Sequence, residues 1–194
     1  MSNNPYKTRE GGATVTVFVP YDCNNHCPFC INKKEYADCT GFSLDAILES
    51  IRTMDAITPR CDFVFTGGEP LVRKADIIKL CEKHYDCEFH AFTNGTLIDE
   101  KFCQEMKRVG NFSVAISLEG FDEVNDLRRG KGVFDKVMHA MDLMKQYGLI
   151  FGTSICYTSK NYKVVTSDEF LDMIIEKGAR FSWYFHYMPV GNEA

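Results

Sequence analysis

The stretch TVTVFVPYDCNNHCPFC, residues 14–30, joins a predicted strand to a loop that carries three cysteines. Its first half, residues 14–20, is rich in β-branched side chains, which is typical of a strand. The loop places Cys23, Cys27 and Cys30 within eight positions. Thiolates at such short spacing indicate zinc or an iron–sulfur cluster, and a site held by protein alone needs four ligands. The loop therefore predicts a metal site whose fourth ligand comes from elsewhere or whose fourth position is open to a small molecule.

Downstream of this loop, segments of strand character alternate with segments of helical periodicity. The strand segments are rich in β-branched and aromatic residues and lie at 61–66, 87–93, 112–118, 149–157 and 181–188. The helical segments between the strands lie at 43–57, 74–84, 98–110, 133–148 and 167–178. Strict alternation predicts parallel strands joined by right-handed helical crossovers. The predicted fold is therefore α/β, an open, partial (β/α)6 TIM-like barrel of parallel strands.

Each helical segment carries an apolar face, which predicts burial against the sheet. In segment 43–57, Ser43 is a plausible N-cap, and Leu44, Ile47, Leu48, Ile51 and Met54 share one face. In segment 74–84 the inward residues are Ile77, Ile78, Leu80 and Cys81. In segment 133–148 they are Val133, Phe134, Val137, Met138, Met141 and Met144. Because methionine fills irregular gaps in cores, we interpret this methionine-rich stripe as packing and not as a cofactor site.

The composition is that of an ordinary globular protein. The chain has 194 residues, 45% of them hydrophobic and 25% charged, with a net charge of −5. Lys and Arg do not cluster, so we expect no nucleic-acid partner. No apolar run approaches the roughly 20 residues that cross a bilayer, and the N-terminus lacks the apolar core of a signal peptide. We therefore expect a cytoplasmic protein that does not enter a membrane.

Six of the nine cysteines lie outside the cysteine loop. An odd count in a chain of this length argues against a disulfide scaffold. Free cysteine commonly behaves as a small apolar core residue. We expect such a packing role for Cys39, Cys61, Cys81, Cys87, Cys103 and Cys156.

Turns rich in glycine and polar residues follow four of the other five predicted strands: TGGEP at 66–70, TNGT at 93–96, SLEG at 117–120 and PVGNEA at 189–194. Parallel α/β proteins bind ligands at the carboxyl ends of their strands, so these turns should share one mouth with the cysteine loop. There Gly67 and Gly68 would allow a ligand close to the backbone. Glu69 would accept a hydrogen bond from an amine, and Phe29 would wall a planar ring.

The cysteine loop and the GGEP turn together resemble the radical S-adenosylmethionine (SAM) superfamily. Cys23-x-x-x-Cys27-x-Phe29-Cys30 has the form of its CxxxCxΦC motif, and GGEP has the form of its second signature. The resemblance extends over nearly the whole chain. It is strongest to the peptide- and cofactor-modifying branch that often carries a C-terminal auxiliary-cluster extension of the SPASM or twitch type. Where that branch commonly has His-Asp-x-x-Arg-Gly, this chain reads NDLRRG, with Asn125 in place of the histidine.

The resemblance implies a cofactor set. Cys23, Cys27 and Cys30 would hold a [4Fe–4S] cluster whose open iron takes the amino and carboxylate groups of SAM. By this resemblance, Gly67, Gly68 and Glu69 of the GGEP turn would bind the amino group of SAM, with Pro70 in the same turn and Phe29 beside it. The ribose and the carboxylate of SAM would be bound by Asn94, Ser117, Glu119 and Arg129. The backbone of Val190 and Gly191 would contact adenine.

The resemblance also implies an activity. Reductive cleavage of SAM would give methionine and a 5′-deoxyadenosyl radical, which takes a hydrogen atom from a peptide, a small molecule or a cofactor precursor. An electron donor such as flavodoxin or ferredoxin would reduce the cluster. No catalytic side chain beyond the cofactor-binding set is assigned.

Two non-enzymatic alternatives remain for the cysteines. With His26 they form a Cys3His set that zinc accepts in principle, but His26 directly precedes Cys27, and adjacent residues rarely point at one metal. A zinc site also gives no reason for the GGEP turn. The second alternative is an iron–sulfur module that only transfers electrons.

The chain divides into an N-terminal extension, residues 1–13, and a core barrel, residues 14–194. Phe181, Trp183, Phe185 and Tyr187 alternate along the sixth strand and form an aromatic face. Such a face normally needs a covering helix. We therefore expect the chain to be the core of a longer polypeptide, cut after its sixth strand.

Overall fold

Six parallel strands lie side by side in their sequence order in the computed structural model, which describes residues 14–18, 22–30, 44–57 and 62–188. The strands are β1 (Thr14–Phe18), β2 (Asp62–Thr66), β3 (Glu88–Thr93), β4 (Phe112–Ser117), β5 (Phe151–Tyr157) and β6 (Ser182–His186). Each consecutive pair is parallel. The predicted α/β class is confirmed.

The sheet is strongly curled, as contacts across its inner face show. Phe92 of β3 lies 5.0 Å from Trp183 and 5.7 Å from Phe185 of β6, measured between ring centroids. In a flat sheet two intervening strands would separate β3 from β6 by about 14 Å. The six strands therefore form an open half-barrel, which confirms the predicted partial TIM-like barrel.

Helices connect the strands. The described helices are α1 (Leu44–Ile57), α2 (Lys74–Lys83), α3 (Glu100–Val109), α4 (Asp122–Arg129), α5 (Val133–Gln146), α6 (Tyr162–Val165) and α7 (Asp168–Glu176), with a short 3-10 helix at Pro70–Arg73 before α2. Ser167 caps α7 and left-handed Gly110 ends α3, as their sequence positions predict.

The prediction of a single helix between consecutive strands was wrong in two places. Both β4 and β5 are followed by two helices, α4 with α5 and α6 with α7. In α4 the only buried residue is Asn125, so no apolar stripe marks it as a helix. Helix α6 has only four residues, which is too short for a periodic pattern.

The hydrophobic core lies between the outer face of the sheet and the helices. Phe63 and Phe65 of β2 stack on Phe89 of β3 at centroid distances of 5.4 and 6.0 Å. The stripe of α5 belongs to this core: Val133, Val137, Met141 and Met144 are buried, and Phe134 and Met138 pack against them. Its interpretation as packing is therefore confirmed, as is the inward face of α2.

The predicted packing role of the scattered cysteines is confirmed for three of the four that the structure describes. Cys81, Cys87 and Cys103 are buried, whereas Cys156 is half-buried. Ile47 and Ile51 of α1 are buried as predicted. Several predictions lie outside the described residues or side chains: the end of the first strand at 19–20, the cap Ser43, the side chains of Leu44, Leu48 and Met54, and the cysteines Cys39 and Cys61.

Candidate functional site

A cavity of about 190 Å³ opens at the carboxyl ends of β1 to β4. It brings together most of the residues that the sequence singles out. The predicted residues that line it are Cys23, Cys27, Phe29, Cys30, Gly67, Gly68, Glu69, Asn94, Ser117 and Arg129. Four lining residues had no predicted role: Asn25, Thr66, Phe92 and Thr93. Thr66, Thr93 and Asn25 lie inside the quoted turns, so their position at strand ends was the available signal.

The cysteine loop is tied to the turn after β2 through the backbone. Glu69 N–H donates to the carbonyl of Asp22, the residue before Cys23, at 2.9 Å. The same loop turns tightly between its last two cysteines, where Cys30 N–H donates to the Cys27 carbonyl. The parallel pairing of β1 with β2 therefore brings the cysteine loop next to the GGEP turn, although the two motifs are distant in the sequence.

The TNGT turn after β3 holds the cysteine loop from the other side. Asn94 Nδ2 donates to Asn24 Oδ1 at 2.9 Å, and Asn24 Nδ2 donates to Thr96 Oγ1 at 2.8 Å. Thr96 Oγ1 in turn donates to Asn94 Oδ1 at 2.7 Å. The three side chains form a closed ring of hydrogen bonds, which orients the segment next to Cys23. Neither Asn24 nor Thr96 was predicted to take part.

The three thiols lie close enough to influence one another. Desolvation raises the pKa of the Cys23 thiol, a hydrogen bond from Asn25 N–H opposes the shift, and the charges of Glu69, Cys27 and Cys30 raise the pKa further. Cys27 is buried, and its Sγ donates to the carbonyl of Arg129 at 3.9 Å. Several ionised thiols at this mouth would repel one another, so a cationic group is the natural partner for them.

Within the described ranges, no three His, Cys, Asp or Glu side chains are arranged to hold a metal ion. The Cys3His set of the zinc alternative, which includes His26, therefore does not converge on one point. A [4Fe–4S] cluster makes a different demand, because each cysteine binds a different iron. The donor chemistry of the three thiols fits such a cluster, and the geometry gives no support to a single zinc ion.

Glu69 is almost fully buried, and its carboxylate is bound by the protein. Oε1 accepts from Leu71 N–H at 2.9 Å and from Thr93 Oγ1 at 2.6 Å, while Oε2 accepts from Asn94 N–H at 2.6 Å. The first of these bonds caps the 3-10 helix that Pro70 begins. Burial raises the pKa of Glu69, and the three hydrogen bonds and Arg129 oppose that shift.

The two glycines and Pro70 shape the turn that Glu69 holds. Gly67 has φ = 127°, a conformation that favours glycine because a side chain would be strained there. Gly67 and Gly68 line the cavity, so their backbone is what a ligand would meet. Pro70 is buried and does not line the cavity.

Glu119 lies behind the cavity wall and does not line it. Its side chain is fully buried, and its Oε1 accepts from Arg129 Nε at 3.1 Å and from Arg129 Nη2 at 2.5 Å. Asn125 Oδ1 accepts from Glu119 N–H, and Asn161 Nδ2 donates to the Glu119 carbonyl, each at 3.0 Å. Asn125, which stands at the histidine position of the NDLRRG pattern, thus holds the backbone of Glu119.

Two predicted residues, Val190 and Gly191, lie outside the described residues. Among the helices of the described residues, none combines the length and the apolar character needed to cross a membrane.

The comparisons with known proteins agree with this architecture. The family model described as the Radical SAM superfamily matches residues 17–176. A cysteine-type anaerobic sulfatase-maturating enzyme of Clostridium novyi is 31% identical over 145 residues, covering 65% of this chain and 38% of that protein. An Fe-coproporphyrin III synthase of Methanosarcina barkeri is 28% identical over 177 residues, covering 87% of this chain and 42% of that protein.

A solved structure, native anSMEcpe with bound AdoMet and the Kp18Cys peptide, superimposes with a TM-score of 0.74 at 27% identity. The match covers 93% of this chain and 54% of that one. The chain therefore spans about half the length of that structure and less than half the length of the two curated relatives. Since the family model covers residues 17–176 of 194, the chain belongs to the Radical SAM superfamily of enzymes.

Proposed function

We propose that this chain is the core of a radical SAM enzyme in which Cys23, Cys27 and Cys30 hold a [4Fe–4S] cluster. When bound, the cluster and SAM supply a 5′-deoxyadenosyl radical that removes a hydrogen atom from the substrate. The observation that carries the proposal is that the three cysteines and Gly67 and Gly68 line the same cavity. Three thiolates leave one iron without a protein ligand, and the amino and carboxylate groups of SAM would bind there.

The GGEP turn would receive the amino group of SAM. Gly67 and Gly68 present backbone to the cavity, and Glu69 holds the turn in place through three hydrogen bonds. A carboxylate has about four acceptor positions, so one remains on Glu69 for a cationic amine. We assign Glu69 both a positioning role and this single contact.

Arg129 would bind the carboxylate of SAM. Arg129 lines the cavity and its guanidinium is held by Glu119, so Glu119 acts on the ligand through Arg129. Asn94 and Ser117, which also line the cavity, would contact the ribose. Backbone at Val190 and Gly191 would contact adenine, a role that rests on the resemblance alone.

Aromatic side chains would limit the access of water to the reacting atoms. Phe29 and Phe92 line the cavity on different elements, the cysteine loop and β3. A dry pocket protects a reactive radical from side reactions. No proton transfer is assigned to any side chain of this chain.

The substrate would be a peptide, a small molecule or a cofactor precursor. The similar solved structure contains a bound peptide, which supports the peptide class, and the Methanosarcina barkeri relative is an Fe-coproporphyrin III synthase, which supports the class of cofactor precursors. A one-electron donor such as flavodoxin or ferredoxin would reduce the cluster. This chain covers only part of these relatives, so the substrates of the whole relatives are carried over to it only as classes.

Anaerobic reconstitution tests the proposal. We expect about four irons and four sulfides per chain, as in the cluster named above, and release of 5′-deoxyadenosine when the reduced protein meets SAM. Replacing Cys23, Cys27 or Cys30 with Ala should abolish iron binding, because each thiolate holds a separate iron. Iron analysis and chromatography of the SAM products provide the two measurements.

The matched control is Cys103→Ala, which removes a thiol buried in the core of α3 and should leave the iron content unchanged. A protein that binds one zinc ion and no iron would contradict the proposal in favour of a structural module. A protein that binds the cluster but whose electron paramagnetic signal does not respond to SAM would contradict the enzymatic part.

A further inference from the structure

Arg128, the neighbour of Arg129 at the end of α4, is a mostly buried cation with incomplete hydrogen bonding. Its side chain is 17% exposed, and its Nε lies 3.5 Å from Glu119 Oε2. In the described part of the chain, neither Nε nor Nη2 of Arg128 has a hydrogen-bond partner, and neither does Glu119 Oε2. Buried polar atoms are normally hydrogen-bonded, so these three need an explanation.

The local charge is also unbalanced. One buried carboxylate, Glu119, faces two guanidinium groups, those of Arg128 and Arg129. Arg129 takes two short contacts to Oε1, whereas Arg128 has only the longer approach to Oε2. The surplus positive charge therefore lies on Arg128. An anion is the group that would balance it.

Stacking on an aromatic ring does not satisfy this guanidinium. The Arg128 Cζ lies 4.1 Å from the centroid of the Phe29 ring, and this cation–π contact uses the face of the guanidinium. The N–H donors of Arg lie in the plane of the group and form a rigid fork suited to a carboxylate. The contact with Phe29 therefore provides no acceptor for the two unpartnered in-plane donors, Nε and Nη2.

The surroundings of Arg128 place it beside the cavity, on the inner side of the barrel. Phe29 lines the cavity and contacts Arg128, and the Tyr187 ring centroid lies 6.0 Å from the Arg128 Cζ. Cys156 of β5 is paired in register with Phe185, whose ring contacts Phe92 of the cavity wall. Burial and the charge of Glu119 raise the pKa of Cys156, and Arg128 opposes the shift, partly through a hydrogen bond.

We propose that Arg128 binds a carboxylate group of the substrate at a subsite bordered by Phe29, Tyr187 and Cys156. This inference rests on the proposed function, since it needs a substrate beside the SAM cavity. The ligand class is a substrate with an acidic side chain or a free carboxyl end. In this proposal SAM, and not the substrate, binds Arg129 and the open iron of the cluster. The carboxylate accepts hydrogen bonds from the Arg128 guanidinium, whose side chain is 17% exposed.

Cys156 provides a chemical reporter for this subsite. Its thiolate displaces iodide from iodoacetate, which carries a carboxylate, or from iodoacetamide, which is neutral. Both reactions need the same thiolate, so the ratio of the two rates does not depend on the pKa of Cys156. Mass spectrometry of the Cys156 peptide from the reconstituted protein gives both rates, and the same ratio in the unfolded chain is the reference. This measurement requires no SAM cleavage.

We expect the iodoacetate-to-iodoacetamide ratio at Cys156 in the folded protein to exceed the reference by about tenfold, because a local positive potential concentrates anions. Arg128→Gln should return the ratio to the reference, whereas Arg128→Lys, which keeps the charge, should retain most of it. The control Arg108→Gln changes an arginine on the outer surface of α3 and should have no effect. Failure of the 5′-deoxyadenosine assay would leave this result intact, so the two proposals fail separately.

A second measurement distinguishes the two molecules whose carboxylate Arg128 would bind, the substrate and SAM. Saturating SAM should leave the high ratio unchanged if the subsite belongs to the substrate. Loss of the preference on adding SAM would assign the carboxylate to SAM and overturn the inference. A folded wild-type ratio equal to the reference, an unchanged ratio in Arg128→Gln, or a Cys156 that neither reagent reaches would overturn it as well.

Discussion

At the scale of a single residue, Glu119 makes contacts with three other residues, Arg129, Asn125 and Asn161. Its carboxylate binds Arg129 at the end of α4, and its backbone is held by Asn125 and Asn161. The side chain is fully buried, so no water compensates if a partner is removed. A buried carboxylate with such partners is therefore a critical support for the cavity wall that Arg129 forms.

Glu119→Gln should destabilise the protein, because it leaves two guanidinium groups without a counter-charge. We expect the free energy of unfolding to fall by about 3–5 kcal/mol, the range for breaking a buried pair. Urea denaturation followed by circular dichroism measures it. Glu123→Gln, which changes an exposed carboxylate in the first turn of α4, is the control and should change little. Equal stabilities of Glu119→Gln and the control would contradict the assignment.

Thr93, which had no predicted role, lines the cavity and holds Glu69 by a hydrogen bond. Its Oγ1 donates to Glu69 at 2.6 Å and accepts from Gly95 N–H at 3.0 Å, and the residue is buried. Thr93→Val keeps the shape but leaves a carboxylate oxygen and an amide with one partner fewer. We expect a loss of about 1–3 kcal/mol in the free energy of unfolding.

The conservative variant Thr93→Ser retains the hydroxyl and should keep most of the stability that Thr93→Val loses. Denaturation of both variants side by side separates the hydrogen bonds from the packing of the methyl group. If the serine variant were as unstable as the valine variant, the methyl group and not the hydroxyl would be the important part of Thr93.

At the scale of the element, α3 shows how a helix is fixed at both ends. Asp99 caps it by accepting from Phe102 N–H at 2.7 Å, and left-handed Gly110 ends it. The Asp99 carboxylate also accepts from Lys74 Nζ at 2.5 Å, which ties α3 to the start of α2. The cap and the ion pair act through the same side chain, so substitutions are needed to separate them.

Asp99→Ala removes both interactions, and we expect it to cost about 1 kcal/mol from the cap and less from the partly exposed ion pair. Asp99→Asn keeps a capping oxygen and should lose only the ion pair. Burial opposes the shift, but the hydrogen bonds from Lys74 and Phe102 lower the pKa of Asp99 from 3.8. A lowered pKa means that the carboxylate stabilises the fold above pH 3.8 and loses that contribution as the pH falls through the folded-state value.

Thermal denaturation between pH 3 and pH 7 therefore provides the pH test. The stability advantage of the wild type over Asp99→Asn should shrink below about pH 4, close to the ordinary pKa of aspartate. An advantage that grows as the pH falls would contradict the sign of the pKa shift.

At the scale of the whole molecule, the last strand of the half-barrel carries exposed aromatic side chains on the inner face of the sheet. Trp183 and Phe185 of β6 are 43% and 47% exposed, and among the described residues β6 pairs only with β5. Exposed strand edges and apolar faces favour association. We expect the 194-residue chain to self-associate as its concentration rises and to bind a hydrophobic dye.

Phe185→Ser should reduce this association, since it removes part of the aromatic face. Tyr85→Ser is the control, because Tyr85 is a more exposed aromatic residue that lies between α2 and β3, away from the sheet edge. Sedimentation velocity over a range of concentrations measures the effect. A chain that stays monomeric throughout, or an equal effect of both substitutions, would contradict the role of β6.

The information that the sequence alone supplied about the site was local. The thiolate spacing at Cys23, Cys27 and Cys30 and the glycines at 67 and 68 are contiguous patterns, and the order of strands gathers them at one mouth. Asn24 and Thr96 could not be found in the same way. Their hydrogen bond joins residues 72 positions apart, and asparagine and threonine are ordinary turn residues.

Sequence by itself determined the α/β class, the half-barrel and the core faces of α2 and α5, because hydrophobic periodicity reports which side of an element is buried. Only the tertiary structure decided that Glu69 is held by Thr93 and Asn94 and that Glu119 lies behind Arg129. It also decided the position of α4, whose sequence is polar and whose only buried residue is Asn125. The physical reason is that partners of buried charges are chosen by strand register and sheet curvature, which no short stretch of sequence encodes.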